Sequence, residues 1–380
     1  MQSSNRMREQ IFATPGALVS RFDPLELNAR LAIETPDVYR TRGIVLTGSG
    51  DSLFAAKATE SAFWVDGRIP AEVRTPLEAG RYQSQLFPSR ELENTLLVAL
   101  SNSGGAARVA EAAMLWRAAG AKVLAVTKNE AGRLAGLADR KLILPVLDLP
   151  TAPGFGPYLF AVLGLQLLAI RFGEVKMAIT NDQAQALRAQ LKKQVGALET
   201  VIVALDEPAR QVAEAISGKA LVEFVGAGPN YAVAGYGAAK LLEASGRHAV
   251  ACDLEEWAHL NYFDRAPVEI ATVLIVPEGS VAQGRAVELA AYMHKLGRSL
   301  IVVGGGEVAE QTCTLGHTAL PVPVLDERWS PLLTSVAPAL IAAHLSALDG
   351  AEYGRGGKAP WDDSVAAATV QQSAIWESAK

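Results

Sequence analysis

One pattern occurs twice along this chain, and a repeat of this kind narrows the folds open to it more than any other feature. The run Gly43-Ile44-Val45-Leu46-Thr47 leads into Gly48-Ser49-Gly50 and then a helical stretch from about Ser52 to Val65. Leu221-Val222-Glu223-Phe224-Val225 leads in the same way into Gly226-Ala227-Gly228 and a helical stretch from about Tyr231 to Ser245. A second apolar run, 96–100, ends in Ser101-Asn102-Ser103-Gly104 before a helix, and its counterpart, 272–276, ends in Pro277-Glu278-Gly279-Ser280 before another. Runs at 122–127 and 298–303 close the two series, with Gly226 standing 178 positions after Gly48, Ser280 176 after Gly104 and Gly304 177 after Thr127. Continuous β-branched runs alternating with helices predict parallel strands covered on both faces and joined by right-handed crossovers. The expectation is an α/β protein of two doubly wound parallel sheets flanked by helices, over 25–175 and 195–348. Helices at about 183–205 and 208–217 would join them, with a tail over 349–380.

At 380 residues the chain exceeds the usual size of one core, which agrees with two units. The net charge of −5 comes from interspersed acids and bases, without the Lys/Arg run that nucleic acid or an anionic membrane surface would need. Cys252 and Cys313 have no CxxC spacing, so neither a disulfide framework nor zinc is expected, and both read as reduced core residues. The opening ten residues are polar and contain no apolar stretch suited to a signal peptide, which points to a cytoplasmic location. Thr151 to Ile170 lacks charge and is long enough for a membrane span. Pro153, Pro157, Gly154, Gly156, Gly164 and Gln166 argue instead for a loop and then a buried helix over about 158–172.

The glycine-rich turns decide between ligand classes. A strand leading through GxG into a helix opens a dinucleotide fold, but the third glycine is replaced by Leu53 in one copy and Tyr231 in the other, and no acid closes the next strand to hold a ribose. No nucleotide cofactor and no metal are expected. The stretch Ser101-Asn102-Ser103-Gly104 opens a helix directly after a strand, where backbone donors, the helix dipole and two hydroxyls favour a phosphate. Ser49, Gly50 and Ser52 stand at the neighbouring strand end and would add donors. An ordinary helix cap is the simpler alternative.

Taken in order, Gly48-Ser49-Gly50-Asp51-Ser52, Ser101-Asn102-Ser103-Gly104, Val126-Thr127-Lys128-Asn129 and 134–139 resemble a sugar isomerase (SIS) domain. Gly226 to Tyr231, Lys240 to Ser245 and Glu255-Glu256-Trp257-Ala258-His259 resemble the second SIS domain of the isomerase half of glucosamine-6-phosphate synthase and of fructosamine-6-phosphate deglycases. The resemblance implies two tandem SIS domains and a phosphosugar isomerase or deglycase in which the 101–104 turn anchors the phosphate. Glu243 would move a proton between the first two carbons, and His259, sixteen positions later, would open the sugar ring, reaching the site from a neighbouring subunit of a homodimer. Read from its neighbours alone, Glu243 is either a carboxylate in an apolar setting or a surface residue paired with Lys240 or Arg247. His259 reads as lying in a loop, and His248, His294, His317 and His344 read as structural. The family's tail lysine over the sugar corresponds to Lys358 or Lys380.

The pattern is broken at several points. Gly105 and Ala106 replace the usual Glu and Thr, costing one phosphate hydroxyl, and Gly132-Arg133 replaces a Ser-Ser pair. Arg108 or Arg133 is the candidate replacement cation. Leu260-Asn261 stands where Gly-Pro is usual, and 153–157 also differs. Without a preceding amidotransferase domain, glucosamine phosphate synthesis from glutamine is not expected. A non-catalytic sugar-phosphate sensor is the alternative of a different class.

Overall fold

The computed structural model describes residues 5–84, 92–323, 326–362 and 367–376. They divide into a first unit drawn from 18–148, 157–192 and 357–380 and a second drawn from 1–17, 149–156 and 193–356. Each unit holds one five-stranded sheet. In the first, β1 (Gly43–Gly48), β2 (Ala71–Arg74), β3 (Thr95–Leu100), β4 (Lys122–Thr127) and β5 (Arg140–Ile143) lie in the order β2-β1-β3-β4-β5. In the second, β6 (Leu221–Gly226), β7 (Ala249–Asp253), β8 (Ile270–Val276), β9 (Ser299–Gly304) and β10 (Thr318–Pro321) lie in the order β10-β9-β8-β6-β7, the same topology read from the other edge. Every pairing is parallel. The fold class expected from the repeat is therefore the one observed, two parallel sheets flanked by helices.

The inner strands are buried along almost their whole length, β8 entirely, which is why they read as unbroken apolar runs. The two GxG turns share one backbone. Gly50 has φ 56° and ψ −128°, and Gly228 φ 53° and ψ −130°, a conformation closed to most side chains. Gly48 and Gly226 serve close approach instead: a Cβ would come within 2.8 Å of the Ser52 Cβ in one copy and 2.4 Å of the Asn230 carbonyl oxygen in the other.

The apolar 151–170 segment becomes the helix Gly156–Val175, which is mostly buried within the protein, as is Pro331–Leu348, among the described residues the other stretch long and apolar enough to cross a membrane. Two local expectations are corrected. The helices foreseen at 183–205 and 208–217 are one helix, Asn181–Ile216, with Pro208 inside it. Just before that proline, Asp206 is gripped by the Arg8 guanidinium (2.6 Å) and by His344 Nε2 (3.0 Å), so outside contacts hold the helix through the missing N–H. Cys252 is buried but Cys313 is exposed, and both thiols are free.

Candidate active site

Strand register places the first group of candidates. Gly48 of β1 pairs with Leu100 of β3, so Ser49 and Ser101 are the next residues on adjacent strand ends, about 5 Å apart across the ladder. The chain leaves β1 for β2 on one side and β3 on the other, which makes this the switch point where ligands of open parallel sheets collect. Beyond it Gly104 takes φ 70°, and its N–H donates to the Ser101 carbonyl at 3.0 Å. The turn is braced from β4: Thr127 Oγ1 and the Lys128 N–H donate to the Asn102 carbonyl, Asn129 Nδ2 to the Ser103 carbonyl, and the Leu134 N–H to Gly104. The helix Ala107–Ala118 follows with Ala106 at its cap, no side-chain cap and no acid in its first turn. Among the described residues, then, neither a side-chain cap nor an acid of the first turn answers its leading N–H groups and positive dipole end. Ser101 is buried at the base of the turn while Ser49, Gly50 and Ser103 are exposed and Ser52 and Asn102 partly so.

The two candidate cations separate cleanly. Arg108 is committed to the Glu111 carboxylate and to the carbonyls of Ser373 and Ala374 in the tail. Arg133 is exposed beside Leu134, the residue that bonds Gly104, and among the described residues it has no carboxylate partner. The same tail stretch brings the Gln371 side chain to about 3.6 Å from where a Cβ on Gly105 would stand. Lys358 is exposed, its carbonyl accepting from the Trp361 N–H at 2.8 Å, whereas Lys380 lies outside the described residues.

In the second unit Glu243 sits near the end of the helix Pro229–Ser245. Its side chain is 38 % exposed and bonded to the Lys240 ammonium, whose side chain is 0 % exposed. The apolar setting is therefore replaced by one of the two pairings foreseen; Arg247, the other, is taken by Asp349. Lys240 is the residue that sequence reasoning undervalued: an ammonium turned inward on an Ala/Leu helix face, 5.5 Å from the Tyr236 ring centroid. Beside this helix end lies a cavity of about 480 Å³ lined by Asn5, Met7, Pro153, Ala244, Ser346 and Tyr353 among others.

His259 is not in a loop. It ends the short helix Leu254–His259, which Asp253 caps by accepting from the N–H groups of Glu255 (2.9 Å) and Glu256 (3.4 Å). The imidazole is 64 % exposed and lies 3.2 Å from Glu255, which also pairs with Arg285. Glu243 and His259 are on segments packed against opposite faces of one sheet. The 229–245 helix covers the face bearing Phe224, whose ring would be 2.8 Å from a Cβ on Gly237. Trp257 packs on the face bearing Val225 and bonds Glu223, and alternate residues of β6 point to opposite sides. The sheet itself stands between the two groups within one chain.

Residues 37–170 match the SIS domain family. The glutamine–fructose-6-phosphate aminotransferase (isomerizing) of Zymomonas mobilis is 24 % identical over 357 residues, covering 91 % of this chain and 56 % of that protein. This chain spans about half the length of the curated relatives it matches. The C-terminal domain of the Francisella tularensis glucosamine-fructose-6-phosphate aminotransferase superposes with a TM-score of 0.79 at 19 % identity, covering 92 % of this chain and 98 % of that one. The Thermotoga maritima glucosamine-6-phosphate deaminase gives 0.71 at 18 % identity, covering 93 % and 98 %. The match to the SIS domain family thus covers the first sheet and its helices, and a second sheet of the same topology follows it.

Proposed function

We propose that this protein is a phosphosugar isomerase or deglycase acting on an open-chain hexose phosphate or its amine adduct. The observation that carries the reading is the 101–105 turn: an uncapped helix start, flanked by serines and braced by β4, at the switch point of a parallel sheet. Ser101, Ser103, the Gly104 and Gly105 amides, and Ser49 and Ser52 hold the phosphate in this reading. Glu243 takes the proton from carbon 2 of the aldose; the electron pair forms the enediol, and the proton returns at carbon 1. Lys240 steadies the carboxylate and the developing charge. His259 protonates the ring oxygen during opening. Because a sheet separates it from Glu243 within one chain, its counterpart acts from a second copy, so the working form is a homodimer. Leu260 and Phe263, both exposed next to His259, suit a segment that is covered by another copy. The names of the relatives support the phosphosugar class, and burial of both long apolar helices supports a soluble, cytoplasmic enzyme.

The test is deuterium incorporation from solvent at carbon 1 of fructose-6-phosphate, with fructosamine-6-phosphate as the adduct probe. Glu243→Gln keeps an oxygen for Lys240 and should lower exchange by about a thousandfold or more, the scale of a lost general base. Phosphosugar binding with no exchange above that variant would replace the enzyme by a sugar-phosphate sensor.

A further inference from the structure

The second sheet contains a fully buried ion pair that the chemistry above does not use. The Glu223 and Arg298 side chains are each 1 % exposed, with Arg298 Nη1 2.9 Å from Glu223 Oε2. Thr272 Oγ1 donates to the same carboxylate oxygen at 3.1 Å. An isolated pair of this kind stabilises little, because desolvation offsets the attraction, and apolar replacements of equal volume often match it; what such groups do supply is a fixed geometry for whatever else they bond. Here that is the His259 segment, on both sides. Two residues before His259, Trp257 Nε1 donates to Glu223 Oε2 at 2.7 Å. Two residues after it, Asn261 Nδ2 donates to Glu223 Oε1, and the Asn261 carbonyl accepts from Arg298 Nη2 at 2.7 Å. The Arg298 guanidinium also stacks 5.1 Å from the Trp257 ring centroid. The Cys252 Sγ lies 3.6 Å from Asn261 Oδ1, where the thiol donates.

We infer that Glu223 and Arg298 are positioning residues for His259, clamping Trp257 and Asn261 to the sheet so that the exposed imidazole projects from a rigidly held helix end rather than a mobile one. Asn261 also explains a departure noted in the sequence. Where Gly-Pro stiffens the backbone in the family pattern, this chain has Leu260-Asn261, and side-chain bonds supply the stiffness. The clamp is a structural claim about residues 254–263; its catalytic consequence rests on the proposed role of His259.

Two measurements keep the claims apart. Removing Arg298 alone would strand a buried carboxylate and risk misfolding, so the variants are Trp257→Phe, which removes one side-chain donor to Glu223, and Asn261→Ala, which removes the other. Hydrogen exchange of the intact protein needs no substrate. Both variants should speed exchange across 254–263 about tenfold while peptides from β8 and the 283–295 helix keep native rates; native rates at 254–263 would overturn the clamp. In the carbon-1 exchange assay on a ring-forming substrate, Asn261→Ala should lower kcat about tenfold with KM within twofold. It should add nothing further in a His259→Ala background. Full activity of Asn261→Ala, with His259→Ala impaired, overturns the positioning role. If His259→Ala itself matches the native protein, the proposed role of His259 is what falls, while the hydrogen-exchange result still decides the clamp.

Discussion

After β3 and after β8 the chain makes the same turn, with a left-handed glycine in each, Gly104 at φ 70° and Gly279 at φ 78°. What fills the two turns differs. After β8 the protein supplies its own anion: the Glu327 carboxylate accepts from Ser280 Oγ and from the Val281 N–H at 3.4 Å. Gln283 Nε2 reaches the carbonyls of Pro277 and Gly305, each at 2.9 Å, and Gln283 Oε1 accepts from the Val308 N–H. After β3, among the described residues, no carboxylate bonds the turn, and the bracing comes from behind, through β4. A helix start favours negative charge wherever it occurs. One copy satisfies that preference internally and becomes scaffold; the other leaves it to a ligand. Duplication followed by filling one of two sites explains how a symmetric fold acquires an asymmetric chemistry.

The comparison breaks most visibly if a carboxylate is placed in the open turn. Ser103→Asp should make it resemble the filled one, lowering kcat/KM for phosphorylated substrates at least about a hundredfold, roughly 2.7 kcal/mol of transition-state binding. Thermal stability should stay within about 2 °C, since the site is exposed and the helix start welcomes the charge. An unchanged KM for the phosphosugar would remove phosphate from this turn. The converse, Glu327→Ala, empties the filled turn. Losing a charge-assisted bond to Ser280 should cost about 1–2 kcal/mol, a fall of roughly 2–8 °C in Tm, with kcat/KM within twofold. A large loss of activity at native stability would mean that the second turn binds substrate too. Arg133→Ala should raise KM for the phosphosugar about three- to tenfold without changing kcat, whereas an unchanged KM would leave the missing hydroxyl without a replacement cation.

The same contrast shows what could be read from residues alone. Each of the six inner or near-inner strands, β1, β3, β4, β6, β8 and β9, was legible because burial on both faces forces an unbroken apolar run. The four that escaped, β2, β5, β7 and β10, are the sheet edges. They are four or five residues long with mixed burial, and Arg74, Lys141 and Glu72 carry no signal that separates them from a loop. The 101–104 turn was legible because its cue is local, a strand end, small residues and a helix start. Glu327, which fills the sister turn from 47 residues beyond Ser280, was not, since nothing in sequence joins them. Nor did spacing disclose that Lys240 points inward or that a sheet divides Glu243 from His259. Sixteen positions fix a pattern, while the face of β6 against which each segment packs is settled only by tertiary structure.

The smallest expected effect concerns the tail, whose Gln371 side chain approaches Gly105 of the open turn. Glu111, with its side chain 1 % exposed, pairs with Arg81 at 2.7 Å and with Arg108, and accepts the Trp376 N–H at 2.6 Å. Burial pushes this carboxyl up, but the Arg81 bond, the Trp376 N–H and the Arg108 charge together outweigh it, leaving Glu111 below its ordinary value. A depressed folded-state value means that the contact is fully present above the unfolded carboxyl's value of about 4.3 and is lost as pH falls through the lower folded one. The tail should therefore stay docked across neutral and mildly acidic pH and release only below about pH 4. Trp376 fluorescence, taken as the difference between the native protein and Trp376→Phe, reads that release, and a midpoint above 4.3 would contradict the assignment. Glu111→Gln should undock the tail at every pH while changing KM for the phosphosugar less than twofold. A larger rise in KM would mean that Gln371, held beside Gly105, is part of the open turn's binding surface, and that the first copy is closed in part by its own chain after all.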